Sequence, residues 1–315
     1  MNLSELVRLR NQLTETNQKI IHEIEHNKVF IDCKNFAESL SEIDFKLRGE
    51  ILGFFTSLNS SRQKLQHDIY QQSLDLERLI DAKAERLLHR GYQINGSPAC
   101  AKMSAEEERL TRIVPIDPDL KNIIKGIISL KTRPEFAGLE IGPGDGFWTE
   151  YLVAADPLYI LDIHPEFLES TKNRFPESYK PRLRSYLWNE DEVNQHYLEK
   201  LPEQQFGFVF AYNVFDFFAY DFLDKWLTGI KKVLRPGGSA FFTYNNCENY
   251  DLARYAETGF KSWMPKHLLE KMIKHLGFEI ESFDNYDKTF WCIIRKPGSL
   301  RTVKATQALG RIVHF

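Results

Sequence analysis

The sequence predicts an α/β protein with a doubly wound, seven-stranded sheet, preceded by an all-α region with coiled-coil character. Three observations carry this prediction. An apolar segment that contains Glu140 runs into a glycine-rich turn. Short apolar segments then recur at the spacing of alternating strands and helices. Residues 1–92, in contrast, contain no proline and almost no glycine, and their apolar residues have helical spacing.

The glycine-rich turn has Gly142, Gly144 and Gly146 at alternate positions, shortly after Glu140. Glycines let the backbone approach a ligand closely, because they have no Cβ and accept positive φ. The pattern predicts a helix over 149–155, whose N-terminus would add free N–H groups and a positive dipole end. A turn of this kind at the first strand-to-helix crossover of a doubly wound sheet indicates a nucleotide-like cofactor.

The spacing of the glycines indicates which cofactor is bound. The dinucleotide fingerprint G-x-G-x-x-G would require glycine where this chain has Phe147, which disfavours a nicotinamide-dependent oxidoreductase. The carboxylate of Glu140 would repel a pyrophosphate and suits an amine-bearing ligand. The pattern E-x-G-x-G-x-G resembles motif I of the class I S-adenosylmethionine-dependent methyltransferases. The resemblance implies S-adenosylmethionine as the cofactor, with Glu140 at its methionine amino end; a tight turn in another α/β domain is the alternative.

A second acidic residue, Asp162, ends the strand predicted over 158–163. It lies about 20 residues past the glycines, where a doubly wound fold places its ribose-binding acid. The segment from Asp162 to Phe167 resembles the second motif of the same family, which implies a cofactor contact for Asp162 and the adjacent Ile163. A plain helix N-cap is the alternative for Asp162.

Five further strands are predicted over 182–187, 206–212, 239–244, 278–283 and 290–294. The family binds adenine after the third strand, so Trp188 and Asn189 are expected near the cofactor; core packing is the alternative for Trp188. Asn213, at the end of the fourth strand, is also expected at the cofactor. The run Leu-Arg-Pro-Gly-Gly at 234–238 predicts the end of a helix and a turn, and is typical of the family.

Methyl transfer from a sulfonium is an in-line displacement that depends on alignment and requires no metal. An oxygen acceptor can need a base, and the weak candidates are His164, Asp216, Tyr244 and His267. The insertion at 245–264 is expected to form a wall or lid over the substrate. Motifs typical of DNA, protein-arginine and RNA-cytosine methyltransferases are missing. The expected acceptor is therefore a small molecule or saccharide, methylated at oxygen or nitrogen.

The N-terminal region carries two apolar stripes at helical or near-heptad spacing. The stripes consist of Leu6, Leu9, Leu13, Ile20 and Ile24, and of Leu58, Leu65, Ile69, Leu76 and Leu79. We expect long helices that self-associate as a coiled coil and so oligomerise or position the enzyme. An intramolecular helical hairpin that caps the catalytic domain is the alternative.

These observations give a helical domain at 1–94, a linker at 95–115, a methyltransferase domain at 116–297 and a basic tail at 298–315. The sequence has no apparent signal peptide and no membrane-length apolar run, and its four cysteines lack paired spacing, so we expect a cytoplasmic protein. The net charge of −3 argues against a broad nucleic-acid surface. A scaffold protein that retains the methyltransferase fold without turnover is the alternative function.

Overall fold

The computed structural model describes residues 2–25, 35, 45–89, 93–94, 97–98, 116–188, 198 and 200–300. The chain forms two compact units, Met1–Glu85 and Arg86–Phe315. Among the predicted features, Asn189, most of the linker and the tail from residue 301 lie outside the described residues. None of the helices in the described ranges combines the length and the hydrophobicity needed to cross a bilayer.

The first unit contains two long helices, α1 (Leu3–Glu25) and α2 (Phe45–Leu88). They contact each other in antiparallel orientation: Arg10 Nη1 of α1 lies 3.8 Å from Glu77 Oε1 of α2, while further along α1 Ile21 shares a groove with Gln63. The helical character predicted for this region is therefore present, and the two helices pair within one chain, as the hairpin alternative expects. The stripe predicted on α2 is partly exposed, since Leu65 is 51% accessible.

The second unit is built on a seven-stranded sheet. Its strands are β1 (Ala137–Ile141), β2 (Leu158–Asp162), β3 (Leu183–Leu187), β4 (Phe206–Ala211), β5 (Leu234–Tyr244), β6 (Glu279–Tyr286) and β7 (Thr289–Arg295). Their order in the sheet is β3-β2-β1-β4-β5-β7-β6. The first five are parallel, and β7 runs antiparallel between β5 and β6. The predicted doubly wound sheet is confirmed, and its strand order reverses between β1 and β4, where such folds bind ligands.

The helices described in the second unit precede or connect these strands. They are α3 (Pro118–Lys131), α4 (Pro165–Asn173), α5 (Tyr220–Val233), α6 (Tyr250–Glu257) and α7 (Lys266–His275), with single 3₁₀ turns at Thr149–Tyr151, Lys180–Arg182 and Phe215–Phe217. Successive residues of β4 enter two different apolar cores: Val209 belongs to the core that contains Leu227 of α5, and Phe210 to the core that contains Ile124 of α3. Both faces of the sheet are thus covered, which explains the continuous apolar runs of its strands.

The helix predicted over 149–155 is wrong, because the chain there makes a single 3₁₀ turn, Thr149–Tyr151. The segment ends at Asp156-Pro157, and a residue before proline is disfavoured in helical conformation. Few residues therefore remain for a helix, and the costly first turn is not extended. The rings of Trp148 and Tyr212, which lie 5.1 Å apart, fix the turn against the end of β4.

The turn predicted at 234–238 also differs from the structure. Helix α5 ends at Val233, within one residue of the prediction. The following segment belongs to β5, and the pairing register with β4 shifts across it. Gly237 has a φ of +80°, and a Cβ at Gly238 would lie 2.9 Å from the carbonyl oxygen of Phe206. The glycine pair therefore makes an irregularity in the strand where two backbones approach closely.

Candidate functional site

The glycine-rich turn follows β1 at the point where the strand order reverses. Gly142, Gly144 and Gly146 have φ values of +70°, +55° and +81°, which side-chain-bearing residues rarely adopt. The turn is also tightly enclosed: a Cβ at Gly142 would lie 2.4 Å from Cγ2 of Val214, which follows β4. The turn therefore requires glycine for its backbone conformation and, at Gly142, for the space available.

Glu140 lies inside β1 with only 1% of its surface accessible. Its Oε2 accepts a hydrogen bond of 2.6 Å from the hydroxyl of Thr149, so the carboxyl group also fixes the 3₁₀ turn after the glycines. Burial raises the pKa of Glu140 to about 8; the hydrogen bond from Thr149 opposes this rise and the charge of Asp162 adds to it. A carboxyl group of this kind becomes ionised when a cation is placed beside it.

Asp162 stands at the end of β2, next to the glycine-rich turn, and is 7% accessible. Its Oδ1 accepts the backbone N–H of His164 at 3.0 Å, and its Oδ2 accepts that of Gly144 at 3.4 Å. Thr171 of α4 holds the turn from the other side, since its hydroxyl donates to the Gly144 carbonyl at 2.9 Å. The N-cap position of α4 is His164. Asp162 therefore contacts the turn, and the plain N-cap alternative does not describe it.

The residues expected around adenine lie beyond Asp162. The N–H of Trp188 donates to the Asp162 carbonyl at 2.9 Å, but its ring lies 5.5 Å from that of Trp226 and 6.1 Å from that of Phe222. Its side chain is buried in the core, as the packing alternative expects. Ile163 is partly buried against the same core.

Asn213 follows β4 directly and has a φ of +54°. A left-handed conformation costs about 1 kcal/mol for a residue other than glycine, and asparagine is among those that tolerate it. Its N–H donates to the hydroxyl oxygen of Thr243 in β5 at 2.7 Å. The end of β4 is thus held in an unusual conformation beside the glycine-rich turn.

Asp216, in the 3₁₀ turn after β4, is 4% accessible and has three partners on other elements. The hydroxyl of Thr243 donates to its Oδ2, and Lys261 Nζ lies 3.0 Å from its Oδ1. Its carbonyl accepts the N–H and the hydroxyl of Ser262 at 2.8 and 2.9 Å. Thr243, Lys261 and Ser262 belong to no motif in the sequence, so sequence reasoning found Asp216 but not its partners.

The remaining candidate bases lie in different surroundings. Tyr244 is buried at the end of β5, and desolvation raises the pKa of its phenol well above the ordinary value. The rings of His164 and Phe167 lie edge to face, with their centroids 5.3 Å apart. The ring Nδ1 of His267 lies 3.0 Å from Oε1 of Glu248. The same oxygen accepts a hydrogen bond from the backbone N–H of His267 at 3.0 Å.

The segment at 245–264 folds back against the end of β5. Asn245 is buried, and its side-chain amide donates to the carbonyls of Leu252 and Ser262 at 3.1 and 2.8 Å. Asn249 caps α6 by accepting two backbone N–H groups. Tyr255, on α6, is 40% accessible. The segment has a fixed inner layer and exposed aromatic residues outside it.

The comparisons with known proteins identify this part of the chain. Residues 139–242 match the family model described as a methyltransferase domain. The matched residues extend from β1 through most of β5. The match covers about a third of the chain and includes the glycine-rich turn, Asp162 and Asp216. No curated protein matches the sequence at a significant level.

Several solved structures are similar to this chain. An S-adenosylmethionine-dependent methyltransferase from Mesorhizobium loti has 13% sequence identity and a TM-score of 0.43, over 62% of this chain and 100% of that one. A SAM-dependent methyltransferase from Aquifex aeolicus has 14% identity and a TM-score of 0.42, over 61% and 98%. Phospholethanolamine N-methyltransferase 2 of Haemonchus contortus, in complex with phosphomonomethylethanolamine and S-adenosylhomocysteine, has 14% identity and a TM-score of 0.44, over 56% and 53%.

Proposed function

We propose that this chain, whose residues 139–242 match a methyltransferase domain, is a class I S-adenosylmethionine-dependent methyltransferase that methylates a small-molecule or saccharide acceptor at oxygen or nitrogen. The main support for an intact cofactor site is the position of two acidic residues. Glu140 and Asp162 stand on two neighbouring strands at the reversal of strand order, and the glycine-rich turn lies beside them. Burying two carboxyl groups this close together is costly for the fold, and carboxyl groups in such surroundings are typical of binding sites.

S-adenosylmethionine supplies the methyl group, which is electrophilic because it is bonded to a positively charged sulfonium. In this proposal Asp162 accepts hydrogen bonds from the ribose hydroxyls. Its oxygens accept the N–H groups of Gly144 and His164, and a carboxylate has about four lone-pair sites, so that it can accept several donors at once. Glu140 serves the methionine amino end, and the glycines let the backbone lie close to the cofactor. In this proposal Ile163 and the backbone of Trp188 border the adenine, and Asn213 borders the reacting end.

Catalysis in this proposal depends mainly on alignment and on the exclusion of water, since the displacement is in line. A hydroxyl acceptor would also lose a proton to a base. Tyr244 is disfavoured for that role, because a buried phenol with a raised pKa stays protonated and ionises poorly. His164, Asp216 and His267 remain candidates.

The pKa of Glu140 leads to a prediction about pH. Below pH 8 the carboxyl group of the free protein is mainly protonated, whereas an ammonium ligand needs the carboxylate. Binding therefore releases a proton, and the affinity for S-adenosylhomocysteine should rise with pH up to about 8, by at most about tenfold per pH unit, and then level off. Calorimetric titrations in buffers of different ionisation enthalpy would measure the proton released.

The control for this prediction is Glu140→Gln, which keeps an oxygen that can accept from Thr149 but cannot titrate. We expect weaker binding and a flat pH profile for this variant. An identical pH profile in the wild type and in Glu140→Gln would remove Glu140 from the amino end of the cofactor.

Transfer itself can be tested with methyl-labelled S-adenosylmethionine and a set of acceptors, beginning with sugars and small hydroxylated or phosphorylated metabolites. The proposal expects label in one class of acceptor, and the same reaction without acceptor is the control. A folded protein that binds S-adenosylhomocysteine but labels no acceptor of any class would favour the scaffold alternative.

We also propose that the N-terminal helices mediate self-association. Exposed apolar side chains on α2 support this: Leu65, Tyr70 and Leu79 are 51%, 51% and 43% accessible. Light scattering should then give at least twice the chain mass of 36.9 kDa. A mass equal to that of one chain at all protein concentrations would contradict self-association. The helices α1 and α2 would then pair only within one chain.

A further inference from the structure

Four residues form a chain of polar contacts that connects the segment at 245–264 with the end of β4. Lys261 contacts Asp216, the Thr243 hydroxyl donates to Asp216, and the Asn213 N–H donates to Thr243. We call these residues the Asp216 network. Ser262 strengthens the same connection through its two hydrogen bonds to the Asp216 carbonyl. Three separate elements therefore meet at one buried carboxylate.

The network has a fixed direction, because a hydroxyl has one proton to donate. The proton of Thr243 points at Asp216, which leaves a lone pair of the same oxygen for the N–H of Asn213. Hydrogen bonds arranged in such a chain polarise and strengthen one another. The charge of Asp216 therefore affects how firmly the backbone N–H of Asn213 is held.

Asn213 in turn controls a contact with the glycine-rich turn. Its φ of +54° sets the direction in which the chain leaves β4. The next residue, Val214, is the one whose Cγ2 would lie 2.4 Å from a Cβ at Gly142. Because the space between them is so small, a shift of Asn213 presses Val214 into the turn or withdraws it. The network thus ends on the backbone that the proposed function assigns to the cofactor.

We propose that the Asp216 network is a positioning device that couples the segment at 245–264 to the glycine-rich turn, so that Lys261 and Thr243 control cofactor affinity without belonging to the turn. This inference rests on the proposed function. Since coupling between two sites is reciprocal, the cofactor also holds the segment that is expected to form the acceptor wall.

The test compares two replacements of Thr243 on the full chain. Thr243→Val keeps the shape and removes the hydroxyl, whereas Thr243→Ser keeps the hydroxyl. We expect Thr243→Val to weaken S-adenosylhomocysteine binding by about tenfold and Thr243→Ser to stay within about threefold of the wild type. Ser239→Ala is the matched control: it lies on the same strand, and its hydroxyl donates to Glu281 at 3.3 Å, outside the network. Its affinity should equal that of the wild type.

Calorimetry gives the affinity and thermal unfolding gives the stability of each variant. Lower stability of Thr243→Val with unchanged affinity would mean a structural role alone and would overturn the inference. If Thr243→Val does not fold, Lys261→Met is the second variant, since the Lys261 side chain is 18% accessible and tolerates a change more easily. We expect Lys261→Met to bind S-adenosylhomocysteine about fivefold more weakly than the wild type. Absence of binding by the wild type would instead remove the proposed function, and this inference with it.

Discussion

Gly142→Ala is expected to weaken the binding of S-adenosylhomocysteine by about 5- to 30-fold and to lower the melting temperature by roughly 2–8 °C. The reason is local to the backbone. Gly142 has a φ of +70°, where an L-residue pays about 1–2 kcal/mol, and its new Cβ would lie 2.4 Å from Cγ2 of Val214. Val214 is β-branched and has few alternative rotamers, so the turn itself must move.

The matched control is Gly126→Ala, since Gly126 lies in α3 with nothing within 4 Å of its potential Cβ. This change should leave binding unaffected and stabilise the helix by about 0.5–1 kcal/mol. Calorimetric titration and thermal unfolding of both variants separate a general effect of an added methyl group from the effect at the turn. Wild-type affinity and stability in Gly142→Ala would show that the turn does not need its glycine conformation.

Asp162→Ala is expected to weaken S-adenosylhomocysteine binding by about 1.5–3 kcal/mol, or roughly 10- to 150-fold. Two effects act in the same direction. The variant loses the charged acceptor proposed for the ribose hydroxyls. It also leaves the N–H groups of Gly144 and His164 without the partner they have here, which loosens the turn.

Asp162→Asn separates these two effects, because its amide oxygen still accepts the N–H of His164 while the charge is lost. We expect it to bind more weakly than the wild type and more tightly than Asp162→Ala. Asp156→Ala is the control: this carboxylate precedes the same strand, is paired with Arg182, and should not affect binding. Wild-type affinity in Asp162→Asn would contradict the ribose contact and leave Asp162 as a brace for the turn.

The features that sequence reasoning predicted well are those with a local physical cause. Strands such as β4 (Phe206–Ala211) are buried on both faces and therefore appear as continuous apolar runs. Gly142, Gly144 and Gly146 are predicted in a tight turn because glycine accepts positive φ, and all three have it. The doubly wound sheet was predicted from the recurrence of these elements and from the resemblance to a known family.

The features that were missed depend on contacts between distant parts of the chain. Lys261 reaches Asp216 across 45 residues, and no spacing rule joins a lysine in an insertion to an aspartate after β4. The sequence allows Trp188 either to contact the adenine or to pack in the core. Only its contacts with Trp226 and Phe222 place its ring in the core. The 3₁₀ turn at Thr149–Tyr151 replaced a helix for a similar reason, since aromatic packing and a nearby Asp-Pro pair outweighed local preference.

In the proposed function, Glu140, Asp162 and the glycine-rich turn together hold S-adenosylmethionine. The most direct test is calorimetric titration of the purified full chain with S-adenosylhomocysteine, with NAD as the control ligand. We predict binding of S-adenosylhomocysteine in the micromolar range, with one site per chain, and no heat of binding for NAD. A folded sample that binds neither ligand, or that binds NAD, would contradict this account of the site.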